Sequence, residues 1–246
     1  MTLYLADASA VEYWRRADPS AKTRARAATP FGQDRETPPF SASDLAALEE
    51  AGVGWLSEPI HLLVPDASSR RRCKRTKLHV CSHRLPERSF VKLSRHVMVA
   101  SPELTCLSIA PSTPFPLLVE FLYELCGRYR LPDGRGGDAT ELPPATTVAG
   151  IERFADKARG VRGSADVKRA LRYACDNSLS PMETDIAETM VFDPRMGGFG
   201  LEKPQLNPRF EVTRKNRRAL PQSAYLPDLF WPRANISVEY DSDKQH

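Results

Sequence analysis

Apolar positions recur along this chain at two periods, and the switches between them mark out its elements. The opening TLYLADASAVEYWRR reads as a short strand running into a helix capped by Ser9, with Val11 and Trp14 inward. Residues 17–40, rich in Arg, Ala, Pro and Thr, show little periodicity and read as a mobile connector. A helix is predicted after Ser43, with Leu45 and Leu48 on one face and Gly52 as its stop. Between Ile60 and Val99 the period shortens to that of strands in IHLLV, KLHVC, SFVKL and HVMVA. Ser101-Pro102-Glu103 then supplies a cap and a first-turn proline for a helix. LLVEFLYELCG is apolar nearly all round, which marks a buried helix ended by Gly127.

Residues 131–144, LPDGRGGDATELPP, have the composition of a domain boundary. Beyond them, SADVKRALRYACDN is a helix with Val167, Ala170, Leu171 and Ala174 inward. SPMETDIAETMVF is another, capped by Ser180, with Pro181 in its first turn and Met182, Ile186 and Met190 repeating every four residues. RFEVTRK, YLPDLFW and NISVEYD are strands, the last two joined at Pro232-Arg233-Ala234. The pattern predicts an α/β protein of two units. Residues 1–140 form an α+β unit, and residues 145–246 a second unit of helices and strands.

The hydrophobic content of 41% suffices for a core, and no apolar run is long enough to span a bilayer. With no leader-like start, the expected setting is cytoplasmic. The five cysteines include no CxxC pair, and most are expected to be buried thiols. Cys73, His79, Cys81 and His83 have the chemistry of zinc ligands, but residues two apart on one strand suit a tetrahedral ion poorly. GGFG at 197–200 is too short for a phosphate loop. Phe230 and Trp231 offer rings for bases to stack on, although strand aromatics serve the core more often.

The net charge is only +4, yet basic residues cluster in RRRCKRTK and RKNRR. Arg70, Arg71, Arg72, Lys74 and Arg75 form the first cluster. Arg214, Lys215, Arg217 and Arg218 form the second. Either can contact a phosphate backbone or line a solvated loop. In the last strand, alternation puts Ile236, Val238 and Tyr240 on one face and Ser237, Glu239 and Asp241 on the other. A short turn brings Asp228 beside Glu239, and converging carboxylates repel unless a cation lies between them. Mg²⁺ or Mn²⁺ fits such hard oxygen ligands, whereas a solvated strand edge explains the same alternation without an ion.

SPMETDIAE, GGFGLEKPQLNPRFEV and YLPDLFWPRANISVEYDSDKQH, taken in order, resemble the very-short-patch-repair-like branch of the PD-(D/E)XK nuclease superfamily over about residues 145–246. LHVCSHRLPERSFVKLSRHVMVASPELTCLSIA is similar to the middle region of AbiE-type antitoxin regulators. The nuclease resemblance implies a restriction-endonuclease-like core, a mixed sheet with flanking helices, and metal-dependent cleavage of DNA. Asp228 and Glu239 would hold the metal, while Glu183 and Asp241 complete the catalytic set. Ser180-x-x-Glu183 also fits a capping box, so Glu183 carries two readings. Asp241 stands where the superfamily name has Lys, leaving Lys244 or His246 as the nearby basic group. The resemblances also imply a setting in phage defence or a toxin–antitoxin locus, with a homodimer or a toxin as partner. The alternative is a catalytically silent DNA-binding regulator. Family members continue beyond the last strand, so a core incomplete at its C-terminus and weak in cleavage is expected.

Overall fold

The structure, a computed structural model, describes residues 2–18, 26–27, 31, 40–66, 73–132, 138–212 and 223–241. It is α/β, with a mixed parallel and antiparallel sheet. The first strand, β1 (Leu3–Leu5), turns at once into helix α1 (Asp7–Arg16). Next come β2 (Arg26–Ala27), α2 (Ala42–Glu50), β3 (Ile60–Val64), β4 (Thr76–Val80), β5 (Phe90–Lys92) and β6 (Val97–Ala100). These six strands form one sheet in the order β2-β5-β6-β1-β3-β4, in which β1 runs parallel to β6 and β3 parallel to β4. Every residue of β3 and of β6 is buried, which explains why both read as unbroken apolar runs.

Helix α1 packs against β3 and against α3 (Pro102–Ile109). It begins at Asp7, two residues ahead of the expected cap. Ser9 lies inside the helix instead, where its hydroxyl accepts the His61 N–H at 2.9 Å. Ser101 caps α3 by accepting the Leu104 N–H, and Pro102 fills the first turn. Helix α4 (Phe115–Cys126) is buried along most of its length and precedes a small ribbon of β7 (Tyr129–Arg130) and β8 (Thr140–Glu141).

The ribbon spans the expected domain boundary, and the packing does not divide there. Helices α5 (Val148–Lys157) and α6 (Ser164–Ala170) lie on α3, and α7 (Pro181–Val191) lies on α4. A single apolar cluster runs from Leu3 to Trp231. Arg130 is almost wholly buried within it, donating to the backbone oxygens of Trp14, Tyr129 and Pro143. The buried face of α7 carries Glu183, Thr184, Ala187 and Val191, whereas Met182, the first of the residues repeating every four, is exposed.

The chain ends its described course in short strands. β10 (Phe210–Glu211) pairs with β11 (Ala224–Tyr225), while β9 (Gln205–Leu206), β12 (Leu229–Trp231) and β13 (Ile236–Val238) form a three-stranded sheet with β12 central. Leu229 and Trp231 enter the core, and the edge strand β13 leaves Ile236 55% exposed.

Candidate functional site

The β12–β13 hairpin determines where the C-terminal acids lie. Leu229 pairs with Val238, and continuing that register by one residue puts Asp228 opposite Glu239, with both side chains on one side of the ribbon. Asp228 accepts the Tyr240 N–H at 2.6 Å, and the Tyr225 hydroxyl donates to Glu239. Asn207, in a left-handed conformation at φ 50°, ties this ribbon to α7. Its N–H donates to the Asp228 backbone oxygen at 3.0 Å, and its side-chain amide donates to Glu183 at 2.7 Å. Asn tolerates that conformation better than most side chains, which suits it to this junction. The hairpin thus gathers Asp228 and Glu239, with Glu183 joined to them through Asn207.

Burial pushes the Asp228 carboxyl above its ordinary value, and the charge of Glu239 adds to the rise despite the Tyr240 N–H. Glu183 is raised by burial as well, with Asp228 contributing, while hydrogen bonds oppose the rise. Those from Ser180 and Leu179 hold the start of α7, with the Leu179 N–H in place of the Ser180 N–H that a capping box uses. Ser180 accepts the Glu183 N–H and returns its hydroxyl hydrogen to the carboxylate, which also accepts the Leu179 N–H at 2.9 Å. Asp241 is exposed two residues beyond Glu239. Lys244 and His246 lie outside the described residues.

Of the basic clusters, Arg70, Arg71 and Arg72 lie outside the described residues, as do Arg214, Lys215, Arg217 and Arg218. Lys74 is exposed, and Arg75 forms an ion pair with Glu58. Phe230 stacks edge-on against Phe210, with ring centres 4.9 Å apart. Trp231 is a core residue whose ring N–H donates to the Glu202 backbone oxygen.

A second constellation sits on the six-stranded sheet. Among the described residues, the set of three acidic, His or Cys side chains whose ligand atoms lie within 4.8 Å of one another is Asp7, His61 and His79. His61 and His79 share a face of the parallel pair β3–β4, and Asp7 follows β1 beside them. His61 Nδ1 is 2.9 Å from Asp7 Oδ1 and 3.1 Å from His79 Nε2. Burial raises the Asp7 carboxyl, but the hydrogen bond with His61 and the charge on His79 outweigh it and leave the group below its ordinary value. His79 thus has Asp7 and His61 beside it rather than a cysteine set. Cys81 Sγ is directed to the His83 backbone oxygen, and burial raises its thiol away from the thiolate that zinc requires.

Reasoning from the sequence did not find Asn207, Tyr225, Asp7 or His61. The Asn before Pro208 was the available signal for the first, since Asn-Pro favours a turn. No local signal links Asp7 to His61, because 54 residues separate them. The molecule is therefore an α/β protein with two polar constellations, a carboxylate ribbon and an Asp–His–His cluster. No family model matches the chain, and neither a curated protein nor a solved structure shows significant similarity to it.

Proposed function

We propose that the protein is a metal-dependent endonuclease-like enzyme acting on DNA, related to the very-short-patch-repair-like branch of the PD-(D/E)XK nucleases. The observation that carries this reading is the placement of Asp228 opposite Glu239, with the Asp228 carboxyl raised by burial and by that neighbour. Two carboxylates are a sufficient protein contribution to a Mg²⁺ or Mn²⁺ site, because such ions keep several waters. Bound there, the ion would supply an activated water and would neutralise charge growing on the phosphodiester. The chain's own part is to hold the acids in place. Tyr240 N–H fixes Asp228, the Tyr225 hydroxyl fixes Glu239, and Asn207 couples the Asp228 backbone to Glu183 of α7.

The test is nicking of supercoiled plasmid in Mg²⁺ or Mn²⁺, with EDTA as control. Asp228→Asn and Glu239→Gln should each lower the rate by at least about a hundredfold, since loss of even an outer partner of a metal costs 10–100-fold. Nicking that survives EDTA or either substitution would remove the reading. A silent DNA-binding regulator is the second reading, favoured by the Glu183 carboxylate being occupied by Leu179, Ser180 and Asn207. It predicts salt-dependent DNA binding without cleavage. Replacing Arg214, Lys215, Arg217 and Arg218 with Ala should then flatten the slope of log affinity against log salt, by about one for each phosphate no longer neutralised.

A further inference from the structure

The Asp7–His61–His79 cluster has no part in the carboxylate ribbon, and its geometry calls for a separate account. Asp7 stands where β1 breaks into α1, with φ 50°, a left-handed backbone that a non-glycine residue adopts at some cost. That turn directs the carboxylate back over the sheet, against His61 of β3 and His79 of β4. All three side chains are largely shielded, at 14%, 11% and 26% exposure for Asp7, His61 and His79.

The contacts within the cluster cannot all be good hydrogen bonds at once. His61 Nδ1 faces both Asp7 Oδ1 and His79 Nε2. A ring nitrogen carries one hydrogen or one lone pair in its plane. If it carries the hydrogen, that hydrogen must be divided between two acceptors. If it carries the lone pair, it opposes the Asp7 oxygen. A cation resolves the conflict, because it accepts lone pairs from all three groups together. The spacing also suits one. Ligands about 2.0–2.1 Å from a tetrahedral zinc lie roughly 3.3 Å from each other. The separations of 2.9 and 3.1 Å need a small outward movement to reach that value, and His79, whose Nδ1 lies 3.7 Å from Asp7 Oδ2, needs a small turn of its ring to bring one nitrogen to both partners.

We propose that Asp7, His61 and His79 bind a divalent transition-metal ion of the zinc class, distinct from any hard cation at Asp228 and Glu239. Two imidazoles and one carboxylate favour zinc, iron, cobalt or nickel over magnesium. Three protein ligands leave a coordination position open, as catalytic sites do. Asp7 also lines a cavity of about 580 Å³ between α1, α3 and α4, whose wall includes Glu12, Arg15, Ser57 and Glu120. Water or an oxygen-bearing ligand would reach the open position from that cavity. Ser9 supplies further support by accepting the His61 N–H, which fixes the strand that carries the imidazole.

The test uses the full chain stripped of metal and titrated with Co²⁺ and Zn²⁺. One equivalent of Co²⁺ should give the visible absorption of a low-coordinate nitrogen and oxygen site, and Zn²⁺ should displace it. His79→Gln, at the most exposed of the three positions, should weaken Co²⁺ binding at least tenfold while far-ultraviolet circular dichroism stays unchanged. Asp7→Asn should act in the same direction. Asp228→Asn and Glu239→Gln should leave the Co²⁺ signal intact, which keeps this site's fate separate from that of the nuclease reading. Absence of stoichiometric Co²⁺ or Zn²⁺ uptake by the parent chain would overturn the proposal. Uptake that persists at full affinity in folded His79→Gln and Asp7→Asn would overturn it too.

Discussion

Glu188 of α7 shows how strongly a single residue can depend on its surroundings. One of its carboxylate oxygens is buried without a hydrogen-bond partner among the described residues. Burial, reinforced by Glu120 and Asp185, pushes its pKa up to about 8. The native state therefore keeps a proton that the unfolded chain gives up at an ordinary carboxylate value. Stability falls as pH rises through that interval and levels off above about 8. Glu188→Gln, which stays neutral throughout, should be more stable than the parent at pH 8 by on the order of 3 kcal/mol, at about 1.4 kcal/mol for each pH unit over which only the native state holds the proton. Near pH 5 the two should be close to equal. Urea midpoints of both proteins across pH 5 to 8 provide the measurement, and parallel curves would show that the carboxyl is ionised in the fold.

At the scale of elements, legibility depended on how local the signal was. The β12–β13 hairpin could be read because alternation and the Pro232 turn together determine its register, and that register puts Asp228 across from Glu239. The caps at Ser101 and Ser180 were equally local. The face of α7 was not. Met182, Ile186 and Met190 formed the more apolar stripe, yet the buried side holds Thr184, whose hydroxyl joins Tyr129 and Ser178 in a closed polar network. A buried threonine with partners leaves no trace in an apolar pattern. The Asp–His–His cluster was hidden for a related reason, since it forms only when β3 is placed between β1 and β4. His79 was visible as a ligand type, but its neighbours in sequence were not its neighbours in space. Ser180→Ala tests the local side of this argument. It removes the α7 cap and a donor to Glu183, and should cost about 1 kcal/mol in thermal or urea unfolding. A neutral result would mean that Leu179 and Asn207 alone secure the helix start.

At the scale of the whole molecule, what decides the behaviour is that the apolar core does not stop at residues 131–144. The sequence there has the glycines and prolines of a linker, and composition alone cannot show that helices on both sides share one interior. Helices α5 and α6 cover α3, and α7 covers α4, so the two halves share one apolar interior. Small sheets also need such cover, and the three-stranded β13-β12-β9 sheet contributes Leu229, Trp231 and Leu206 to the common core. Unfolding should therefore be one cooperative transition. The three tryptophans allow this to be checked from both ends. Trp14 is buried beside the first sheet, donating its ring N–H to the Ala100 backbone oxygen, and Trp231 is buried at the opposite end of the sequence. In one variant Trp14→Phe and Trp55→Phe leave Trp231 as the reporter, and in another Trp231→Phe leaves the N-terminal pair. After correction for the stability of each variant, fluorescence and circular dichroism should give the same urea midpoint and slope at both ends. An N-terminal signal that persists after the Trp231 signal is lost would instead mean that the first sheet, with α1 and α3, is a folding unit of its own.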